Sequence, residues 1–153
     1  MAIFFDSSSG QMDREANAQH MVNYKVYGEH GLFTITMEGN LLIVDGIGPF
    51  NEQTITSFHD ALNKAITTIS SQQWSQIIIL HAMSLFTPEA ERHLCLTLIE
   101  RKNKGLVRSA VVYGDTDCKS MIHTQLSRCY AKVGIDHGFF ESIDEAKAWL
   151  ANK

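Results

Sequence analysis

Ile77-Ile78-Ile79-Leu80-His81-Ala82-Met83-Ser84-Leu85-Phe86-Thr87-Pro88-Glu89-Ala90 contains a strand, a loop and the start of a helix in one short run. Four consecutive aliphatic residues, too few for a helix, suit a strand covered on both faces. The polar break at His81 to Ser84 ends it. Thr87 can then cap a helix, Pro88 fits the first helical position, and Glu89 suits the positive end of the helix dipole. A strand followed directly by a helix is the repeating unit of a parallel sheet.

The unit repeats toward the C-terminus. The helix from Thr87 is predicted to run to about Lys104, with Gly105 as its C′ residue. The basic run Arg101-Lys102-Asn103-Lys104 lies at its negative end, where cations are favoured. Residues 107–113 read as a strand. Residues 118–133 read as a helix with the stripe Ile122, Leu126, Cys129, Tyr130 and Val133, closed by Gly134. Gly138-Phe139-Phe140 is a short last strand. Ser142-Ile143-Asp144-Glu145 is a capping box that opens a final helix, with Ala146, Trp149 and Leu150 inward.

Toward the N-terminus, Leu32-Phe33-Thr34-Ile35-Thr36-Met37 and Leu41-Leu42-Ile43-Val44 are two strands, joined through Glu38-Gly39-Asn40 as a hairpin. The second is apolar at every position and is predicted to be covered on both faces. The chain breaks at Asp45-Gly46-Ile47-Gly48-Pro49. Asn51 then caps a helix whose stripe is Ile55, Phe58, Leu62, Ala65, Ile66 and Ile69. The order β-β-α-β-α-β-α-β-α implies an α/β fold: a mixed five-stranded sheet, an initial β-hairpin then parallel βα units, with about four helices and right-handed crossovers.

Residues 1–20 differ from the rest. They are polar and rich in Ser and Gly at 6–11, and read as an N-terminal extension, a candidate for disorder, ahead of one domain over 21–153. Met21 is an alternative start; alternatively the extension is an arm docking on a partner subunit through Phe4 and Phe5. The formal net charge of −4, from 13 basic and 17 acidic residues, and the lack of a Lys/Arg stripe argue against a nucleic-acid face. No apolar run reaches the roughly 18 residues of a membrane span. Three cysteines without a CxxC pair read as reduced thiols of a cytoplasmic protein.

Ligands of open α/β sheets sit beyond the carboxyl ends of the strands. The loops expected there are 45–51, 81–89 and 114–118. They supply the candidate binding residues Asp45, Asn51, His81, Ser84, Thr87, Glu89 and Asp115. Free N–H groups at the helix start near Thr87 can hold an anion, and Thr87 and Ser84 are candidates for phosphorylation. The competing reading is that both only cap. Gly46 and Gly48 form an incomplete nucleotide pattern, since Asn51 stands where a third glycine belongs, and a tight turn accounts for them. One of Asp115 and Asp117 is expected to cap the next helix. His93 and Cys95 face different sides of a helix, Cys118 and His123 are poorly spaced, and no metal motif or GxSxG elbow occurs. No metal, cofactor or catalytic residue is implied.

Three segments resemble the STAS family (sulfate transporter and anti-sigma-factor antagonist domains), and more narrowly the STAS-like, anti-sigma-antagonist-like bacterial proteins of unknown function. They are Ile43-Val44-Asp45-Gly46 with Phe50-Asn51 and the following helix; Trp74 through Ile77-Ile78-Ile79-Leu80 into Leu85-Phe86-Thr87-Pro88-Glu89-Ala90; and Phe139-Phe140-Glu141-Ser142-Ile143-Asp144-Glu145-Ala146 to Trp149-Leu150. The resemblance spans 24–151. It implies a regulatory module whose strand-to-helix loop docks a partner and is phosphorylated on a serine after an aspartate. Here the loop has no Asp-Ser pair; Thr87, or second Ser84, stands near that position.

Three functions follow as expectations. The first is a non-enzymatic module docking a protein partner, or a second copy of itself, through the Thr87 loop. The second is a carrier of a small apolar or lipid-like ligand in a pocket between sheet and helices, under Phe50 and Phe86. The third is a small hydrolase-type enzyme using His81, Ser84 or Asp115. An exposed apolar rim at Leu85 and Phe86 is expected for docking.

Overall fold

The computed structural model describes residues 2–6, 23–28, 31–69 and 72–152, the first two segments and Gly31 by backbone alone. The order is β1 (Ala2–Asp6), β2 (Asn23–Gly28), β3 (Gly31–Glu38), β4 (Leu41–Ile47), α1 (Glu52–Ile66), β5 (Trp74–His81), α2 (Pro88–Asn103), β6 (Leu106–Tyr113), α3 (Lys119–Val133), β7 (Asp136–Phe140) and α4 (Ile143–Ala151). The expected α/β architecture is present: the β3–β4 hairpin, then parallel βα units through β7, with four helices.

Two antiparallel strands extend the hairpin edge, so seven strands lie in sequence order across the sheet. The strand at Asn23–Gly28 was not among those expected, and Ala2–Asp6 falls within the stretch read as an extension. Residues 7–20, and Met21 as a start, lie outside the described residues. The hairpin connection is tighter than predicted. Glu38 pairs with Leu41, which leaves two loop residues, and Gly39 supplies the positive φ of 62° that matches the strand twist.

Parallel strands laid down in sequence order, each joined by a right-handed crossover, place every connecting helix on one face. Accordingly α1, α2 and α3 share one core with Phe33, Ile35, Leu42, Val44, Ile78, Leu80 and Val111. Among the described residues, the other face has only α4, nine residues long, over Ile77, Ile79, Ala110 and Val112. β4 therefore differs from expectation. Leu42 and Val44 are fully buried, but Leu41 and Ile43 on its other face are half-buried and Ile47 is exposed, because among the described residues no helix returns that far.

The helices end where residue chemistry directs. Asn51 accepts from Thr54 N–H at 2.9 Å, and Ser142 Oγ from Glu145 N–H at 3.1 Å. Gly134 closes α3 in the left-handed conformation at φ 78°. Arg101 lies in the last turn of α2, as the reading of the basic run has it, but its side chain turns into the core. It is buried, and its Nη1 donates to Gln76 Oε1 at 2.9 Å. Gln76 Nε2 in turn donates to Ser109 Oγ at 2.9 Å, which contacts Tyr130 Oη at 2.8 Å. Burial pulls the Arg101 pKa down to about 10. Lys102, in the last turn of α2, donates instead to the Val133 carbonyl at the end of α3, at 2.9 Å.

Candidate functional site

The three loops at the carboxyl ends of β4, β5 and β6 meet and are tied together. Phe50 N–H donates to Leu85 O at 2.9 Å and Thr87 N–H to Phe50 O at 3.1 Å. Ala82 N–H donates to Asp115 O at 2.7 Å. Asp45 belongs to β4 rather than to the break after it, paired with Thr34 and Ile79, and this registers its side chain beside the end of β5.

His81 joins all three loops. Its Nδ1 accepts from Asp115 N–H at 3.3 Å, and its Nε2 lies 2.6 Å from Asp45 Oδ1. An accepting Nδ1 leaves the ring proton on Nε2, aimed at the carboxylate. Both ring nitrogens are thereby engaged. The ring rests on the backbone of Gly114, where a Cβ would sit 2.2 Å from Nδ1. Gly114 is a residue the sequence reading missed.

Ser84 is fully buried. Its hydroxyl donates to the His81 carbonyl and accepts from Gly48 N–H at 3.1 Å. It bonds the His81 backbone, not the His81 ring, so the two do not form a nucleophile–base pair. Its hydroxyl is committed inside the loop, away from the surface. Gly48 lets two backbones approach: a Cβ there would lie 2.6 Å from Met83 O and from Ser84 Cα. With its N–H taken by Ser84, Gly48 serves loop packing, as the tight-turn reading has it.

Thr87 caps α2, accepting from Ala90 N–H at 3.1 Å, and is exposed. Glu89 is exposed and pairs with Arg92 at 3.6 Å. Asn51 is a cap, its side chain engaged with Thr54. Asp115 is exposed on the rim, and neither it nor Asp117 caps α3. The N-cap position is Cys118, and Thr116 holds that turn by accepting from Cys118 N–H at 3.0 Å and donating to Ala82 O. Gln125 of α3, unforeseen in the sequence, clamps Phe86: its Oε1 accepts from Phe86 N–H at 3.0 Å and its Nε2 donates to Phe86 O at 2.9 Å.

The apolar rim lies elsewhere than expected. Phe86 is buried and Leu85 packs on the core, because the parallel bridge from Phe50 to Phe86 turns this segment inward. Exposed large apolar residues beside Gly48 are Met83 (57%), on the facing loop, and Ile47 (42%), the last residue of β4. Directly before Met83, just past the end of β5, stands Ala82, held at φ 54°, a left-handed conformation that costs a side-chain-bearing residue about 1–2 kcal/mol. Beneath Phe86, the sheet and helices enclose a cavity of about 20 Å³, lined by Phe33, Phe58, Leu98 and Arg101 among others. That is room for about one water, not for an acyl chain.

Among the described residues, no three His, Cys, Asp or Glu side chains are grouped so as to hold a metal ion, and no helix is long and apolar enough to cross a membrane. Neither a protein-family model nor a curated protein matches the sequence.

Proposed function

We propose that the chain is a non-enzymatic docking module whose partner, a protein or a second copy of itself, is received on the face formed by Ile47, Met83, Thr87, Glu89 and Asp115. One observation carries this reading: the loops present exposed Met83 and Ile47 on a backbone fixed by Ser84, His81 and Gln125. A rigid loop with apolar tips and a polar rim suits protein recognition, since little order is lost on binding. Its strained Ala82 is the kind of backbone outlier that clusters at binding sites. The two other readings find less support. A hydrolase needs a base with a free ring nitrogen near a nucleophile, and both His81 nitrogens are committed. A lipid-like ligand would need the core to open well beyond its cavity.

The proposed role matches what the STAS-like resemblance implies, a regulatory module docking through this strand-to-helix loop. Thr87 is the exposed hydroxyl at that loop, and a phosphate there would add nearly two negative charges at the rim. The test is a pull-down from native-host lysate with four tagged baits: wild type, Met83→Asp, Thr87→Glu and, at the opposite edge, Lys104→Glu. The reading expects a partner retained by wild type and Lys104→Glu and lost by Met83→Asp, with Thr87→Glu weakening it. A partner lost only with Lys104→Glu overturns the assignment of the face. Thr87→Ala should cost about 1 kcal/mol of stability as a lost cap, measured by urea melting.

A further inference from the structure

Cys95 and Cys129 are 34 residues apart in the chain, one on α2 and the other on α3. The packing of these neighbouring helices sets their sulfurs 2.7 Å from each other. Cys129 is fully buried, with its sulfur also 3.6 Å from the Glu91 carbonyl, while Cys95 is only partly buried. The same seam is clasped by Arg128, whose Nε and Nη2 each donate to a Glu91 carboxylate oxygen at 2.7 Å. The third cysteine, Cys118, stands at the N-cap of α3. Eleven helical residues before Cys129 place it about 16 Å away along the axis, out of reach of the pair.

A disulfide needs its sulfurs at about 2.05 Å with close Cβ atoms. From the observed approach, less than one ångström of further movement is required, between side chains whose helices are already in contact. We propose that Cys95 and Cys129 are a redox modification site, closing into a reversible disulfide that staples α2 to α3 when the protein meets a peroxide.

The chemistry balances with hydrogen peroxide as the oxidant. The partly exposed Cys95, as thiolate, attacks a peroxide oxygen; the O–O bond breaks, and Cys95 becomes a sulfenic acid as hydroxide leaves. The hydroxide recovers the proton Cys95 had lost, giving one water. The Cys129 sulfur then attacks the Cys95 sulfur; the S–O bond breaks, the S–S bond forms, and the Cys129 proton leaves with the hydroxyl as a second water. Two thiols and one peroxide give one disulfide and two waters. A dithiol reductant reverses it by exchange. Burial and the neighbouring Cys95 push the Cys129 thiol well up, so Cys129 resolves and Cys95 is the thiol that meets the oxidant. The staple would fix the helix whose first turn borders the Thr87 loop.

The test uses the full-length reduced protein, treated with hydrogen peroxide or equilibrated across ratios of reduced to oxidised dithiothreitol, then blocked and digested with trypsin without reduction. The expected product is peptide 93–101 linked to peptide 129–132, two hydrogens lighter than their sum, while peptide 109–119 keeps an alkylated Cys118. The link should persist in Cys118→Ser, vanish in Cys95→Ser, and raise the melting temperature in a way that reductant reverses. All three thiols remaining alkylatable under the most oxidising condition overturns the proposal. So does oxidation that yields only disulfides through Cys118.

Discussion

The sheet has loops at both ends, and the two ends are built differently. At the amino ends of β5 and β6 lies an open cleft of about 680 Å³, lined by Gln72, Gln73, Lys102, Lys104 and Leu106. At the carboxyl ends, side chains knit three loops together: Ser84 to Gly48, His81 to Asp45 and Asp115, and Gln125 to Phe86. Volume alone would favour the cleft. Physical chemistry favours the other end. Helices α2 and α3 present their carboxyl termini toward the cleft, and its lysines are already used, Lys102 on Val133 O at 2.9 Å and Lys104 on Asn63 Oδ1 at 2.9 Å. The opposite end has ordered loops, helix N-termini and exposed apolar tips. The difference teaches that the two ends are set apart by how their backbone is held and what they display, and not only by how much space they leave.

Substitutions at the two ends should separate accordingly. The largest effect is expected from Gly48→Ala, because the new Cβ meets backbone on the facing loop at 2.6 Å and neither loop can yield without breaking the Ser84 bonds. A loss of about 2–3 kcal/mol in urea unfolding is expected, in the range of overpacking penalties. Ser84→Ala comes next. It strips the partner from Gly48 N–H, at a cost of about 1–3 kcal/mol. Lys104→Ala at the cleft should stay within about 0.5 kcal/mol of wild type. Equal losses from Ser84→Ala and Lys104→Ala would erase the contrast.

A smaller effect depends on pH. Hydrogen bonding from Arg128 holds the Glu91 carboxyl below its ordinary value against the opposing effect of burial. A carboxylate with a lowered folded-state pKa adds stability above its unfolded pKa and loses it as pH falls through the folded value. Glu91→Gln should therefore be less stable than wild type at neutral pH, and the gap should close in acid below the usual carboxylate range. A gap that persists at low pH would mean that packing, not charge, clasps α2 to α3. Ala82→Gly should have a small effect of the opposite sign. Glycine adopts φ 54° freely but gains freedom in the unfolded chain, so a net gain of up to about 1 kcal/mol is expected in the same urea assay.

Much of the architecture was legible because it is local. Strand and helix alternate from Leu41 onward, and Asn51, Thr87 and Ser142 each cap a helix as their chemistry predicts. What escaped was set by contacts distant in sequence. Asn23–Gly28 is short, preceded by a polar stretch, and gains its place by pairing with β3. Arg101 resembles its neighbours Lys102 and Lys104, yet the turn of the helix points it at Gln76, 25 residues away. That the three loops meet at the carboxyl ends of the strands was legible, since topology alone fixes it. The composition of that face was less legible. Leu85 and Phe86 look like an apolar rim in sequence, but β-bridging draws Phe86 inward and leaves Met83 and Ile47 outside. The Cys95–Cys129 pair is invisible to spacing rules, because it arises from the packing of α2 on α3.

The central claim, that partners dock on the carboxyl-end face, is tested most directly by site-specific photocrosslinking. A photoreactive amino acid would be placed at Met83 in one sample and at Lys104 in another, each irradiated in native-host lysate and resolved by mass. The account predicts a discrete protein adduct, or a crosslinked dimer, from position 83 and none from position 104. An adduct from position 104 with none from position 83 would contradict it.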